Sequence, residues 1–282
     1  VIGLLAGAGE FPEVWDVKVF DPIDDAVVWF RDNLSWLTRG FNDIVVGQFY
    51  VPIRDFLIET VAWPVLMFVG GWLGWQIGGR RLAVFTLAMM TSIGLIGMWA
   101  LSLDTLTQVV AAVLLSVAIA IPIGIWAGRS RRVEAFLAPV LDALQTVPSL
   151  VYIIPAVIFF TVGVVPGIIA SVLYAIVPGI RITALGIREV PEESVEASQV
   201  FGATPRQTMF GVRVPLAAPT IMAGINQVIM MVLAMVIISG LVGGGALGFA
   251  TVRAVQRSDQ GIAVDVGVAI VAIAIIVGRP TQ

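Results

Sequence analysis

The feature that most constrains this chain is a series of apolar runs, each long enough to cross a lipid bilayer as a helix. After Pro52 these runs lie at 57–78, 82–103, 106–127, 149–164, 167–187, 217–241 and 262–278. A helix needs about 20 apolar residues to cross the hydrocarbon core. The sequence therefore predicts an all-α membrane protein, a polytopic helical bundle with about seven transmembrane helices.

Composition narrows the classes of function. Hydrophobic residues make up 59% of the 282 residues and charged residues only 12%, whereas a soluble domain is about 45–50% apolar. The formal charge of −3, without a basic patch, argues against a nucleic-acid partner. Because the chain has no cysteine and no histidine, we predict no catalytic residues and no metal site.

Residues 1–51 are polar and are predicted to form an external N-terminal region, distinct from a transmembrane domain over 52–282. The Ile2–Ala8 run is too short to cross a membrane and no cationic stretch precedes it, so no cleavable targeting segment is expected. An amphipathic helix is predicted from a stripe of apolar residues at helical spacing: Phe30, Leu34, Leu37, Phe41 and Ile44. The stripe leaves two placements open, in the outer membrane interface or against a neighbouring helix.

The borders between spans are predicted from charged and glycine residues. Gly78 to Arg81 are expected to separate the first span from the second, and Asp104 with Thr105 the second from the third. The segment 135–145 ends before Pro148 and is expected to be a half-buried helix that leads into the fourth span.

Arginine distribution predicts the orientation, because positive residues are retained on the cytoplasmic side. The inner loops are marked by Arg80, Arg81, Arg129, Arg131, Arg132, Arg188, Arg206 and Arg213. Seven crossings then place the N-terminus outside and the C-terminus in the cytoplasm. Arg253 and Arg257 fall on the outer side and oppose this assignment, although Asp259 partly offsets them.

The longest inner loop, 189–215, is the least hydrophobic stretch after the N-terminal region. Pro191 suits the start of a helix, and Gly202 suits its end, because glycine adopts the left-handed conformation without steric penalty. Thr204 and Gln207 have the T-x-x-Q spacing that restarts a helix. The loop is therefore predicted to contain two short helices joined at Gly202. Spacing alone leaves open a groove-binding element or an ordinary ordered loop.

The 189–215 loop resembles the EAA signature of binding-protein-dependent ABC importer permeases: E-A-A, three residues, G, nine residues, I-x-L-P. Here Glu196-Ala197-Ser198 is followed by Gly202 and by Val212-Arg213-Val214-Pro215. Ser198 replaces an alanine, and Val212 and Val214 replace other branched residues. The wider stretch 141–248 resembles the glycine betaine/proline (quaternary amine) permeases at 141–155, 165–183, 219–227 and 240–248.

The resemblance implies a fold of the type I ABC importer permease kind, a homodimer in the cell inner membrane, and two kinds of partner. Cytoplasmic ABC ATPase subunits would dock on the loop, and an external substrate-binding protein would deliver an osmoprotectant such as glycine betaine or proline. The residues implied in ATPase coupling are Glu196, Ala197, Ser198, Gly202, Ala203, Thr204, Pro205, Arg206 and Pro215. ATP and Mg²⁺ would belong to the ATPase. The chain itself is expected to bind no cofactor and not to be an enzyme, because its only lysine, Lys18, lies outside any P-loop pattern.

A quaternary ammonium is best held by aromatic faces and a carboxylate by hydrogen-bond donors. The candidate residues of the substrate path are Gln145, Tyr152, Phe159, Phe160, Tyr174, Asn226 and Gln227. Asp142 and Glu59 are expected either to attract a cationic solute or to pair with arginines, and Arg181 is expected to extend to the inner surface. The run Gly243–Gly245 fits an outer turn or a close helix contact better than a nucleotide loop.

Two other functions stay open. A permease of the same superfamily for another small solute, such as an amino acid or a sulfonate, would carry the same loop. An ion-coupled secondary transporter would need ionisable residues within the membrane, and it would leave the 189–215 loop without a role.

Overall fold

In a computed structural model of the chain, the described residues are 35–278 together with 25, 28, 29, 32 and 33. The side chains of Phe30, Leu34 and Leu37, which belong to the predicted amphipathic stripe, lie outside the described part. The contacts within the chain divide it after Gly40, and the residues from Phe41 onward form the larger unit.

The described residues form helices and contain no strand, as the apolar runs predict. The α-helices are α1 (Ser35–Asn42), α2 (Val51–Asp55), α3 (Trp63–Leu95), α4 (Trp99–Arg129), α5 (Arg131–Thr146), α6 (Ile153–Phe160), α7 (Val164–Arg188), α8 (Glu192–Val200), α9 (Pro205–Thr208), α10 (Val214–Ile238), α11 (Ala246–Gln256) and α12 (Gln260–Gly278). Three π-helical segments lie among them, Asp43–Tyr50, Phe56–Thr60 and Met209–Arg213. Two 3₁₀ turns, Ser149–Tyr152 and Ser239–Val242, precede α6 and follow α10.

The arm, which we define as the continuous helical stretch 43–60, packs against α4 and α7. Its buried side chains are Val45 and Tyr50, whereas Ile44 is exposed. The predicted stripe is therefore wrong at Ile44. The π-helical winding of Asp43–Tyr50 explains the difference, because an added residue in each turn rotates the buried face away from the α-helical spacing. The choice between the membrane interface and a neighbouring helix for the stripe as a whole stays a prediction.

Helix α3 is a hairpin of two limbs. Gly78 and Gly79 have non-helical backbone angles, and Gly79 has a φ of 69° that only glycine adopts easily. The limbs pack closely, since a side chain at Gly70 would meet Met90 and one at Gly74 would meet Ala83. The predicted break between the first and second spans at Gly78–Arg81 is confirmed.

The predicted border at Asp104 and Thr105 is wrong. The chain turns earlier, at Ile96–Met98, where Gly97 has a φ of 75°, and Asp104 lies inside α4. An acidic residue usually ends an apolar span because burying a lone charge is costly. Here the Tyr50 hydroxyl donates a hydrogen bond to Asp104, and Arg54 pairs with it at 3.5 Å, so the charge is compensated within the helix bundle.

The core is formed by α4, α7 and α10, with α7 packed against the other two. Small residues let the helices approach: side chains at Gly124 and Gly128 of α4 would collide with Thr183 and Ile187 of α7. Close approach at glycine is the usual way in which membrane helices gain packing energy without a hydrophobic driving force.

Within the described residues, four helices are long and apolar enough to cross a membrane: α4, α7, the continuous helix Pro205–Val242, and α12. Two further pairs of helices are long and apolar enough to cross only when the two members are taken together, and each pair is bent by 109°. They are Thr38–Thr60 with α3, and α5 with the segment Ser149–Phe160. The second pair matches the predicted half-buried helix before the fourth span. Together these are four spans, or at most six if each bent pair is one span, which is fewer than the seven predicted. The difference lies in α3, whose 33 residues contain both limbs that were predicted as two separate spans.

In the turn between α10 and α11, the backbone segments at Gly240 and Gly248 are in close contact. A side chain at Gly240 would meet the backbone of Gly248, and one at Gly248 would lie 2.6 Å from the carbonyl oxygen of Ile237. Gly243 and Gly245 have φ values of 73° and 78°. The glycine run therefore serves a tight turn, which is one of the two structures predicted for it.

Candidate functional site

The 189–215 loop folds as two short helices around a glycine turn, as predicted. α8 begins at Glu192 with a second acidic residue, Glu193, in its first turn, where negative charge is favourable. Gly202 follows α8 with a φ of 81°, and its amide donates to the carbonyl oxygen of Gln199 at 2.9 Å. The turn reverses the chain and sets α9 against α8.

The start of α9 carries the predicted capping box. The Thr204 amide donates to Oε1 of Gln207 at 2.8 Å, and the Gln207 amide donates to the Thr204 hydroxyl at 3.4 Å. Ser198 adds a bond between the helices, because its hydroxyl lies 3.0 Å from that of Thr208. The serine that departs from the E-A-A pattern therefore stabilises the pairing of α8 with α9.

One side of the loop is anchored in the helix bundle. Met209 and Thr208 are buried, and Met209 belongs to a cluster with Ile187 of α7 and with Ala217 and Ile221 of α10. The loop is therefore attached to the ends of two core helices, so that a displacement of the loop would act on both.

The other side of the loop exposes large apolar side chains. Val200 is 84% exposed and Phe201 is 90% exposed, on either side of the α8 end and next to Gly202. Phe210 is also exposed. The sequence analysis missed these three residues, although apolar residues in an otherwise polar loop were a visible signal. Such a protruding apolar group on a rigid element is typical of a binding surface.

The residues predicted for ATPase coupling lie on this same loop. Glu196, Ala197, Gly202, Thr204, Pro205, Arg206 and Pro215 are exposed, whereas Ser198 and Ala203 are half-buried. Behind them a cavity of about 180 Å³ lies between the loop and the end of α4, with Arg129, Gln199, Ala203 and Arg213 among its lining residues. The loop thus presents an outward surface and rests on a cavity lined by both polar and apolar residues.

The structure brings two predicted substrate-path residues into contact. Tyr152 and Tyr174 meet edge to face with ring centroids 5.7 Å apart, and the Tyr152 hydroxyl donates to the carbonyl oxygen of Leu144. Tyr152 is buried and Tyr174 half-buried. This pair lies in a cluster with Met235 and Ile238 of α10.

The other candidates lie on separate elements. Gln145 is exposed on α5, Phe159 and Phe160 are half-buried at the end of α6, and Asn226 is half-buried beside the exposed Gln227 on α10. Phe160 contacts Phe41 edge to face at 5.6 Å. A contribution of these residues to a solute path stays a prediction.

Two ion pairs join α5 to α7. Arg181 pairs with Asp142, and Arg188 pairs with Glu134. The extension of Arg181 to the inner surface stays a prediction; its observed partner is Asp142 on the neighbouring helix. Of the two alternatives for Asp142, the arginine partner is the one observed. Glu59 is exposed at the end of the arm.

Among the residues that the structure describes, no group of three or more histidine, cysteine, aspartate or glutamate side chains is placed to hold a metal ion. The arrangement as a whole is a bundle of membrane helices with one rigid, partly apolar loop attached to the ends of two core helices. This arrangement is consistent with a membrane component of a transporter whose helices are moved by another protein that binds the loop.

The class indicated by this fold and loop is the membrane component of a transporter. The chain belongs to the family of binding-protein-dependent transport system inner membrane components, whose family model matches residues 120–279. The predicted family and multi-pass membrane location are thereby confirmed.

Curated relatives match over almost the whole chain. It is 39% identical to the glycine betaine/proline betaine transport system permease protein ProW of Escherichia coli, over 96% of this chain and 79% of that protein. It is 40% identical to the glycine betaine transport system permease protein OpuAB of Bacillus subtilis, over 94% of each. It is 43% identical to the glycine betaine/carnitine transport permease protein GbuB of Listeria monocytogenes, over 93% of this chain and 92% of that protein.

A solved structure supports the predicted fold class. The inward-facing MetNI methionine ABC transporter, in its CY5 native crystal form, superposes with a TM-score of 0.57 at 17% identity, covering 63% of this chain and 93% of that one. The likeness confirms an ABC importer permease fold.

Proposed function

We propose that this chain is the permease subunit that carries glycine betaine and related compatible solutes across the membrane, driven by a separate ATPase. The choice of solute is supported by the relatives, since the three proteins at 39–43% identity are named for glycine betaine systems. ATP and Mg²⁺ are bound by the ATPase, and this chain binds neither.

The observation that carries the ATPase partnership is the exposed Val200–Phe201 pair on the rigid 189–215 loop. When a partner covers apolar side chains that are more than four-fifths exposed to solvent, the free energy of the system falls. Glu196, Arg206 and the capped start of α9 are exposed on the same loop, so polar groups are available for the rim of a protein interface. The chain would thus insert an apolar tip into a groove of the ATPase.

The orientation follows from the core helices. Gly124 and Gly128 of α4 pack beside Thr183 and Ile187 of α7, so Arg129 and Arg188 at the helix ends lie on the same side as the loop. We assign this arginine-bearing side to the cytoplasm. The N-terminal region is then external, α12 ends towards the cytoplasm, and an external binding protein delivers the solute. A second copy completes the path as a homodimer.

Coupling in this scheme is mechanical. The loop connects the end of α7 with the start of α10, two of the three core helices, which pack closely on each other. When ATP binding draws the ATPase subunits together, the loops move with them and bias the bundle between inward-open and outward-open arrangements.

A permease for a different small methylated amine is the second candidate. The chain is 36% identical to the trimethylamine N-oxide permease TmoV of Ruegeria pomeroyi, over 80% of this chain but only 34% of that protein. It would use the same loop and the same partners, so only the solute differs.

The proposal is tested by purification and uptake. We expect the chain to copurify with an ABC ATPase, and we expect Phe201→Asp to abolish both copurification and ATP-driven uptake, because a charge replaces the apolar tip. Val255→Asp is the matched control: Val255 is also strongly exposed, but it lies on α11, away from the loop. Uptake that persists without any ATPase would contradict the proposal and favour an ion-coupled transporter.

The solute is tested separately by competition. Vesicles that contain the assembled complex should take up labelled glycine betaine, and unlabelled glycine betaine should compete more strongly than proline, choline or trimethylamine N-oxide. Stronger competition by trimethylamine N-oxide would favour the second candidate.

A further inference from the structure

An apolar cavity lies between the α3 hairpin and the helices of the bundle. Its volume is about 230 Å³, and its lining residues come from the arm, both limbs of α3, α4 and α12. Most of the lining side chains are aliphatic, such as Leu66 of α3, Leu106 of α4 and Ile273 of α12. Among the described residues that line it, only Ser102 contributes a hydroxyl and only Trp99 a ring N–H. Water is unstable in a cavity with so few polar partners, so an apolar ligand is the expected occupant.

A groove of about 530 Å³ adjoins the cavity, and the two share Met90 and Trp99 as lining residues. The groove is bounded by both ends of α3, Trp63 and Leu95, and by Trp99, which begins α4. Trp63 and Leu95 are 62% and 82% exposed, so the groove faces the surroundings of the protein. Tryptophans at the ends of membrane helices typically lie at the boundary between membrane and water. The groove therefore leads from the boundary of the bilayer to the cavity.

The hydroxyl that lines the cavity has no partner. Ser102 is 5% exposed, and its Oγ forms no hydrogen bond with any residue that the structure describes. Three other buried hydroxyls of α4 donate to backbone carbonyls one turn earlier, those of Thr105, Thr107 and Ser116. An unpaired hydroxyl in apolar surroundings is costly. A ligand that is apolar over most of its length and carries an acceptor oxygen near Ser102 would satisfy both the cavity and the hydroxyl.

The hairpin itself has little buried contact with the core. Of the 33 residues of α3, the buried ones are Gly71, Gly74, Thr86 and Ile93. Gly71, Gly74 and Thr86 lie between the two limbs of the hairpin, and only Ile93 belongs to the main core cluster. Membrane helices associate through close packing, so a ligand that fills the cavity would join the hairpin to the bundle.

We propose that the cavity binds one acyl chain of a membrane phospholipid and that the Ser102 hydroxyl donates to an ester carbonyl oxygen of that lipid. The glycerol backbone then lies in the groove beside Trp63 and Trp99, and the acyl chain extends past Leu106. Ser102 is three residues from Trp99, about 4.5 Å along the helix axis, and the polar interface on each side of a bilayer is about 5–8 Å thick. The ester groups are therefore within reach of Ser102. The inference rests on the membrane location of the family and is independent of the solute and of the ATPase.

A phospholipid fits the site better than a second copy of the chain does. An α-helix with its side chains is about 10–12 Å across, so a helix of another copy can cover the groove but cannot enter the cavity. An acyl chain is unbranched and apolar, and the surrounding bilayer supplies it in excess. The bound lipid thus completes the packing between the hairpin and the bundle.

The first test counts phospholipid on the purified protein. With dioleoylphosphatidylglycerol as the probe, we expect mass spectrometry of the intact protein to show one phospholipid per chain that is retained after loosely bound lipid has been removed. Leu106→Trp fills the cavity and should lower this retention at least about fivefold, because the lipid would then overpack the site. Leu114→Trp is the matched control, since Leu114 lies on the same helix, is 51% exposed and does not line the cavity. Equal retention in the two variants would overturn the proposal.

The second test removes the hydroxyl and adds no volume. Ser102→Ala should raise the phospholipid concentration needed for half-maximal retention about two- to tenfold, which corresponds to the loss of one neutral hydrogen bond. A probe with ether-linked chains lacks the carbonyl oxygens, so it should bind the unmodified protein equally weakly and show no further loss with Ser102→Ala. Ser116→Ala is the control, since that hydroxyl bonds the carbonyl oxygen of Ala112 in its own helix. Equal binding of the ester and ether probes to the unmodified protein would contradict the assigned contact.

The third test distinguishes the phospholipid from a second copy. A phospholipid with a diazirine near the end of its acyl chain should label the peptides of α3 and α4 that line the cavity. The chain has no cysteine, so Val69→Cys introduces a single thiol at the exposed edge of the cavity. A disulfide between two copies at this position, without labelling of α3 or α4, would show that another copy covers the groove and would overturn the proposal.

Discussion

The 189–215 loop and the Tyr50–Asp104 cluster, which we define as Tyr50, Arg54, Asp104 and Thr105, both join separate helices, but they do so in opposite ways. The loop is one continuous segment, stabilised by bonds between residues three to ten positions apart such as Thr204–Gln207 and Ser198–Thr208. The cluster joins residues 54 and 142 positions apart, Tyr50 with Asp104 and Leu247 with Thr105. Local capping chemistry can be read from sequence spacing, whereas a buried long-range cluster cannot.

The two regions also differ in their exposure to solvent. The loop presents charged and apolar groups to solvent, where a charge is well hydrated and an ion pair contributes little. The cluster is enclosed by apolar helices, where each polar group must find a partner within the protein. Substitutions in the loop should therefore change function more than stability, and substitutions in or beside the cluster should change stability.

The largest effect is expected at Gly202. Gly202→Val places a β-branched residue at a φ of 81°, in a region that such residues avoid. The turn must open, at a cost of about 1–3 kcal/mol, and Val200 and Phe201 move relative to α9. We expect ATP-driven uptake to be lost while membrane insertion is retained, as measured in vesicles and by membrane fractionation.

Gly211→Val is the matched control, because Gly211 is an exposed helical glycine of the same loop with open space around it. It should retain most of the uptake. An equal loss of uptake in both variants would show that any larger side chain on the loop impairs transport. The left-handed turn at Gly202 would then have no specific role.

A large loss of stability is expected beside the cluster, at Gly248. Gly248→Ala adds a methyl group 2.6 Å from the carbonyl oxygen of Ile237, and backbone cannot move aside as a flexible side chain can. Overpacking of this kind costs about 1–3 kcal/mol. Gly267→Ala on α12, with nothing nearby, should be neutral or slightly stabilising in the same thermal unfolding assay. A stable Gly248→Ala variant would mean that the α10–α11 turn yields easily.

Asp104 and Asp55 offer an internal comparison, since both lie beside Arg54. Asp104→Asn removes a carboxylate that is only 14% exposed, accepts from Tyr50 and pairs with Arg54, and it should destabilise by about 1–3 kcal/mol. Asp55→Asn removes a carboxylate that is 40% exposed and should cost less than about 1 kcal/mol. Denaturation of the purified chain in detergent measures both. Similar losses would show that burial does not separate the two carboxylates.

Much of the fold was predictable because bilayer thickness fixes the length of apolar runs. Gly78 to Arg81 marked the α3 hairpin, and the T-x-x-Q spacing marked the start of α9. The border at Asp104 was not predictable, because its compensating partners lie on the arm and no local rule places them there. The pairing of Arg181 with Asp142 in particular was not predictable for the same reason, since the two residues are 39 positions apart.

The candidate site was predictable only in part. Spacing located the 189–215 loop and its glycine turn, because caps and turns are local. The exposure of Val200 and Phe201 was missed, since a sequence does not show which face of a short helix is free. The contact of Tyr152 with Tyr174 depends on the bend between α5 and α6, and no residue pattern fixes that angle.

The smallest effect is expected at the ion pairs between α5 and α7, whose solvent exposure is intermediate between that of the loop and that of the cluster. The side chains of Arg188 and Glu134 are 35% and 38% exposed, so solvent screens their attraction. A double-mutant cycle with Arg188→Gln and Glu134→Gln should give a coupling free energy of about 0.2–1 kcal/mol. The exchanged pair, Arg188→Glu with Glu134→Arg, should recover most of the lost stability, since geometry matters little for a screened pair. A coupling free energy as large as the loss of stability expected for Asp104→Asn would mean that this part of the helix interface excludes water. The division between a hydrated loop end and an enclosed Tyr50–Asp104 cluster would then have to be abandoned.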